Sequence, residues 1–413
     1  MTKKLSSPSA PRAHFIGIGG IGISALARWF RAENWIVTGS DCASSMITDS
    51  LKKDGISVKI GHSRANLPRK PLNMVIYSPA IPKSNPELVE ARRRGIKPLS
   101  YPEALGCLTR VYKTIAISGT HGKSTTTGMA AIALTGKGFD PNVVVGTNLK
   151  EFGNKNFRKG SGKWLIIEAD EWKASFLNYS PIITVVTCID KDHLDFYKNL
   201  VDIKKTFLKF FERTQEGGVL ILNKEDKNLI SMKSAIQKIA KKRDLEVAWY
   251  PLKNQKSKIK NQSLSKILKV PGKHNVSNAA AVLKIAETIG IKKSSVLKGL
   301  SRYKGAWRRM EYRGKIKNQK SKIKILVYDD YAHHPTEIKA TLQAFREKFP
   351  REKLICVYQP HQTKRLKSLF KEFISAFGGA DVLVLLPVYE VSGRDIHIRG
   401  YDSPALAKAI KKK

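Results

Sequence analysis

The sequence predicts an α/β fold built as three consecutive domains. Apolar, β-branched runs alternate with helical patterns from end to end, as parallel sheets covered by helices require. The 413 residues exceed one ordinary domain, taken as about 150 residues. Turns rich in glycine or histidine follow several of the runs, at the strand ends where open parallel sheets bind ligands.

The first block, 1–112, opens with "HFIGIGG" as a strand and glycine turn, then "IGISALARWFRAEN" as a helix. "WIVTGSD" is a short strand ending in Asp41, and "NMVIYSPAI" is another that closes on a Ser-Pro turn. The second block, 113–300, repeats strand, loop and helix in "KTIAISGTHGKSTTTGMAAIALTGKG". "WLIIEADE" and "PIITVVTCIDKDHLDFY" are buried strands ending in charge, and "HNVSNAAAVLKIAETIG" is a helix closed by Gly290. The third block, 301–413, holds "IKILVYDDYAHHPTEIKATLQAF" (strand, turn, helix), then "KLICVYQPH" and "ADVLVLLPVYE".

Composition narrows the function classes. Hydrophobic residues make up 42% of the chain, enough for packed cores. Cys42, Cys107, Cys188 and Cys356 lie far apart, with neither metal-ligand spacing nor a disulfide framework, so a reduced, cytoplasmic setting is expected. The apolar run near the N-terminus carries glycines at fixed spacing and reads as a folded element, not a signal peptide. No apolar stretch reaches the length of a membrane span. A net charge of +41 invites a nucleic-acid reading. However, the lysines are dispersed, few aromatics accompany them, and some belong to an octamer, "KNQKSKIK", repeated at Lys253–Lys260 and Lys317–Lys324. No nucleic-acid partner is expected, and the octamers read as exposed loop insertions.

The most specific motif is "GTHGKST". Gly119 and Gly122 let backbone approach phosphate oxygens, the following helix offers free N–H groups, Lys123 can sit between phosphates, and the Ser124 hydroxyl can ligate Mg²⁺. This makes the second block a P-loop ATPase-like domain. Glu168, Asp170 and Glu171 end one strand, and Asp190, Asp192, His193 and Asp195 end another, so metal-ligand oxygens are at hand. Gly17-x-Gly19-x-x-Gly22 with Asp41 is a Rossmann-like fingerprint that suits NAD or any pyrophosphate ligand, a UDP-sugar included. The third block, also Rossmann-like, offers His333, His334, His361, Lys364 and Arg365 for a small carboxylate.

Taken in order, GIGGIG, YSPAI, GTHGKST, EADE, DHLDFY, PGKHNVSNA, WRRME, DDYAHHPTE and QPH resemble the Mur ligases of bacterial cell-wall synthesis over nearly the whole chain. The resemblance implies an ATP- and Mg²⁺-dependent cytoplasmic ligase. In it, L-alanine joins the lactyl carboxylate of UDP-N-acetylmuramate through an acyl phosphate. A ligase that recycles a tripeptide onto the same UDP-sugar is the alternative within the family, and an NAD(P)-dependent oxidoreductase is a remoter one. Carried over by residue, Gly119, Thr120, His121, Gly122, Lys123, Ser124 and Thr125 would cradle ATP phosphates, with Asn275 near adenine and Arg308 near phosphate. Ser124, Glu168 and His193 would hold Mg²⁺. Gly17, Gly19, Gly20, Gly22, Asp41 and Ser78 would bind the UDP-sugar. His334 and Arg365 would face the amino acid, and Lys123, His193 and His334 would serve catalysis. Two departures stand out: Ser124 replaces a threonine, and "QPHQTKR" lacks the arginine–tyrosine pair expected after His361. The third domain is expected to be shortened.

Overall fold

The computed structural model describes residues 10–136, 138–251, 261–317, 324–390 and 398–412. The first octamer repeat, Lys253–Lys260, and residues 318–323 of the second lie outside them. The chain forms two compact units: Met1–Ile115 with Lys137–Glu168 and Asn178–Pro181, and Ala116–Gly136 with Ala169–Leu177 and Ile182–Lys413.

In the first unit, five strands lie in the order Ser57–Ile60, Ile36–Asp41, Arg12–Ile16, Met74–Tyr77, Leu99–Ser100, and all neighbours are parallel. The chain therefore switches direction beside Arg12–Ile16, whose carboxyl end carries the glycine turn. The helix Ile21–Ala32 starts straight from that turn and buries Ile23, Leu26, Trp29 and Phe30. Local chemistry starts the other helices. Ser45 and Thr48 form a capping box on Met46–Lys53. Asn85 caps Pro86–Arg93, and Ser100 with Glu103 boxes Tyr101–Val111. The same unit contains the strands Asn142–Leu149, Lys155–Arg158 and Trp164–Glu168. Buried Arg28 ties them to the first helix, donating to Asn156 at 2.6 Å and to Asp54 at 2.7 Å.

A buried carboxylate fixes the strand ends of this sheet. Glu87 accepts from Ser40 at 2.8 Å and Asn66 at 3.0 Å, and meets His14 at 2.8 Å and His62 at 3.1 Å. Burial alone would raise its pKa, but the hydrogen bonds from His14, Asn66 and Ser40 hold it at about 2.

In the second unit, Ile183–Val186, Val219–Asn223 and Glu246–Tyr250 run parallel. The helix Lys123–Leu134 packs on Lys273–Thr288 and Lys293–Leu300. Phe176, Phe207 and Phe210 close a core beneath the helix Leu200–Phe211, with Phe176 stacked on Phe210 at 4.3 Å. Further along, Glu311–Lys317 and Lys324–Asp329 form an antiparallel hairpin, and Ile355–Tyr358 pairs parallel with Val382–Leu385. Ile338, Leu342, Tyr358, Leu366, Phe373 and Leu406 make a separate core there. Among the described residues no helix is long and apolar enough to cross a membrane.

The depressed pKa of Glu87 has a signed consequence. Its stabilisation is complete above its ordinary pKa of 4.5 and is lost as pH falls toward about 2. Glu87→Gln should lower the melting temperature at neutral pH, and the gap to the parent should shrink between about pH 5 and about pH 3. A gap that stays constant over that range would refute the network's role.

Candidate functional site

The loop after the strand Lys113–Ser118 is pinned on two sides. Ala169 N–H donates to Ile117 O at 2.8 Å and Thr187 N–H to Ser118 O at 3.0 Å, while Thr120 N–H reaches Cys188 O at 2.9 Å. The Thr120 hydroxyl accepts from Asp190 N–H at 2.8 Å. Gly119 has φ +124°, and a side chain there would run into the Thr187 hydroxyl and the Cys188 backbone. Gly122, at φ +83°, is the N-cap of the helix Lys123–Leu134, and a Cβ would lie 2.8 Å from Asn278 Oδ1. No acidic residue occupies the first turn of that helix, so its positive end is left for an anion.

Lys123 Nζ lies 2.8 and 3.0 Å from the two oxygens of Glu171, 3.3 Å from Thr120 O and 3.7 Å from Asp170. Glu171 is buried, and desolvation raises its pKa even against the pull of Lys123. His193, held at φ +52°, brings Nε2 to 3.7 Å from Glu171. Ligand atoms of Asp170, Glu171 and His193 all lie within 4.8 Å of one another. Two carboxylates already clasping an ammonium make a donor set suited to a hard divalent cation. Glu168, expected in that role, ends its strand in the first unit and accepts from Gly146 N–H at 2.8 Å.

A second cluster joins His121, Asp190 and His334. His121 meets Asp190 at 3.1 Å and Glu337 at 3.4 Å, and its ring lies 4.7 Å from that of His334. Burial opposes its charge, but hydrogen bonds to Asp190 and Glu337 hold its pKa well above 6.5. His334 is already engaged at both nitrogens: Nε2 pairs with Lys191 O at 2.8 Å, and Nδ1 accepts from Thr336 N–H at 3.2 Å. That leaves it no lone pair for a metal, and it acts as the N-cap of the helix Pro335–Lys348. The sequence expectation has His334 facing the amino acid; in the structure its ring is held by the helix cap and by Lys191 O.

A cavity of about 290 Å³ opens beside the loop. Gly122, Ser124, Thr125 and Asn275 line it, as the motifs lead one to expect. Asn278, His274, Arg309, Asp330 and Glu337 line it too and were not expected. Of the two arginines in "WRRME", Arg309 lines the cavity, lying 3.5 Å from Glu337, while Arg308 pairs with Asp329 at 3.3 Å. Burial and the charge of Arg309 push the His274 pKa down to about 4, so its imidazole is neutral there.

Near the carboxyl end of Ile183–Val186, Asp192 is buried and receives Arg365 Nε at 3.3 Å. Arg365 and the neighbouring histidines keep its pKa below the carboxylate range despite burial. His333 and its neighbour Glu337 complete this side of the site, at 3.5 Å. In the first unit, Gly19 N–H donates to Asp41 Oδ2 at 2.8 Å, and Ser78 N–H to Ile16 O at 2.9 Å. Gly17, Gly20, Gly22, Asp41 and Ser78 thus meet at one sheet end.

Comparison with known proteins identifies this arrangement. Family models match three successive stretches: "Mur ligase family, catalytic domain" over 12–113, "Mur ligase middle domain" over 117–286 and "Mur ligase, glutamate ligase domain" over 308–413. A UDP-N-acetylmuramate–L-alanine ligase of Clostridium acetobutylicum is 40% identical over 100% of this chain and 90% of its own length. The chain belongs to the Mur ligase family. The enzyme of the same name from Caldicellulosiruptor saccharolyticus is 39% identical, with 96% of this chain and 88% of that one covered. The solved UDP-N-acetylmuramate–alanine ligase of Thermotoga maritima superposes with a TM-score of 0.74 at 28% identity, covering 97% of this chain and 88% of that chain. A murein peptide ligase from Psychrobacter arcticus, at 22% identity and TM-score 0.70 with 98% and 88% covered, shares the fold. The three-domain α/β architecture read from the sequence is that of the Mur ligases, and the chain is an ATP-dependent, amide-forming ligase.

Gly119 offers the sharpest test of the loop. Gly119→Ala must distort a left-handed backbone and displace the Thr187 hydroxyl, a cost of about 1–3 kcal/mol. The variant should melt several degrees lower and show no thermal shift with ATP. An ATP shift equal to the parent's would place the nucleotide elsewhere.

Proposed function

We propose that this chain joins L-alanine to the lactyl carboxylate of UDP-N-acetylmuramate in the cytoplasm, where ATP and nucleotide-sugars reside. The observation that carries this reading is the 40% identity, along the full chain, to a ligase of that name. Residues 1–112 hold the UDP-sugar, 113–300 hold ATP, and 301–413 bring the amino acid. A solved murein peptide ligase and a solved UDP-N-acetylmuramate:L-alanyl-gamma-D-glutamyl-meso-diaminopimelate ligase match at 22% and 21% identity, which speaks to fold alone, so alanine is preferred to a tripeptide.

The chemistry follows from charge. A sugar carboxylate must approach the γ-phosphate, anion against anion. Gly119 to Thr125 offer backbone N–H groups and the helix end, and Lys123 offers its ammonium. Glu171 keeps Lys123 pointed into the loop until phosphate competes for it. Ser124, Asp170, Glu171 and His193 would hold Mg²⁺, with Glu168 as a further candidate. The ion supplies charge neutralisation at the phosphates. The carboxylate oxygen attacks the γ-phosphorus as the bond to ADP breaks. The alanine nitrogen then attacks the acyl carbon, the carbon–oxygen bond to phosphate breaks, and the amine loses a proton. Asn275 and Arg309 serve the nucleotide, with Arg308 one step behind through Asp329. In the first domain, Gly17, Gly19, Gly20 and Gly22 present backbone to the pyrophosphate. Asp41 shapes that loop through Gly19, and Ser78 closes it. Arg365 takes the alanine carboxylate. His334 supports the site as a helix cap.

Phosphate release should require ATP, Mg²⁺, UDP-N-acetylmuramate and L-alanine together. Lys123→Ala should lower the rate by about 10²–10³ or more while keeping a cooperative melt. Release driven by a tripeptide and not by alanine would overturn the substrate assignment.

A further inference from the structure

The same loop that supplies His193 supplies a residue with no role so far. Asp192 is buried, and its two oxygens face different parts of the site. Oδ1 accepts from the backbone N–H of His193 at 2.7 Å and from Arg365 Nε at 3.3 Å. Oδ2 lies 3.9 Å from Nε2 of His193 and 3.9 Å from Nε2 of His333. His193 in turn lies 3.7 Å from Glu171, the partner of Lys123. One carboxylate therefore sits between the phosphate side and the amino-acid side.

We infer that Asp192 is a positioning residue that orients the Arg365 guanidinium for the carboxylate of the incoming amino acid. The inference rests on the reading of Arg365 as the carboxylate receptor. A long, flexible arginine binds poorly unless its fork is pre-set, because ordering it on binding costs entropy. Asp192 fixes Nε, and His361 O approaches Nη1 at 3.5 Å. Among the described residues Nη2 has no protein partner, so one edge of the fork is left for a substrate carboxylate. This matters more in a chain with Gln362 directly after His361, since Arg365 is then the arginine of this loop. Asp192 also accepts the N–H of His193, which has a left-handed backbone, so the orientation of the fork is registered against the phosphate side.

Steady-state kinetics of the full chain with all three substrates test this. Asp192→Asn keeps the size and one acceptor oxygen but removes the charge. The KM for L-alanine should rise about tenfold or more, while the KM values for ATP and UDP-N-acetylmuramate stay within about twofold and kcat falls less than the alanine KM rises. Asp192→Glu, which keeps the charge but moves it by one methylene, should show the same alanine-selective rise. Adding Asp192→Asn to Arg365→Ala should cost little beyond Arg365→Ala alone, because the two act as a unit. An unchanged alanine KM, parallel loss in all three KM values, or failure of both variants to fold would overturn the inference. A parent that ligates no alanine would instead refute the substrate reading itself.

Discussion

A lysine ammonium held against a buried carboxylate at the mouth of a glycine loop is the interaction on which this site depends. Lys123 and Glu171 approach to 2.8 Å, and Glu171 is only 2% exposed. Breaking such a pair by removing one partner leaves an uncompensated buried charge. The pair therefore stays together, and Lys123 is aimed into the loop before any phosphate arrives. The surroundings follow from that constraint. Tyr197 donates its hydroxyl to the Glu171 carbonyl. Backbone bonds at Ile117, Ser118 and Thr120 fix the loop between the segments after two strands. Gly119 and Gly122 are needed because the loop must turn left-handed against Thr187 and Asn278.

The loop is also bound to the last third of the chain. His121, the histidine that distinguishes this loop from commoner phosphate loops, is clamped between Asp190 and Glu337. Thr336 donates to the same Asp190 at 2.8 Å, and His334 bonds to Lys191 O. A protonated imidazole between two carboxylates adds positive charge beside the phosphate loop and a link to the helix Pro335–Lys348. The cavity shared by Gly122, Asn275, Arg309 and Glu337 is the space this link encloses. A three-substrate reaction needs its reactants held in register, and these contacts fix the loop Gly119–Thr125 against the start of the helix Pro335–Lys348.

Most of the strands, and the loops at their ends, were legible because apolar runs and glycine spacing are local signals. The turn at Gly17–Gly22, the loop at Gly119–Thr125 and the acids after Trp164–Glu168 stand where the pattern places them. Partner identity was less legible. "WRRME" offers two arginines, and only the fold shows that Arg309 lines the cavity while Arg308 turns to Asp329. "HHPTE" points to two histidines at a strand-end turn, yet Nδ1 of His334 caps the following helix and Nε2 pairs with Lys191 O. Glu337 lies three residues after His334, as a capping-box glutamate does. Its further pairing with His121, more than two hundred positions earlier, has no local trace. Asp192 is one of five charged or imidazole residues in "DKDHLD", and burial alone singles it out.

The central claim is that the lactyl carboxylate itself becomes the phosphoryl acceptor beside Lys123. UDP-N-acetylmuramate labelled with oxygen-18 in that carboxylate tests it most directly. Mass analysis of the inorganic phosphate released during ligation should find one labelled oxygen transferred from the sugar acid for each amide formed. Phosphate carrying no label, with both labelled positions accounted for elsewhere, would contradict the account.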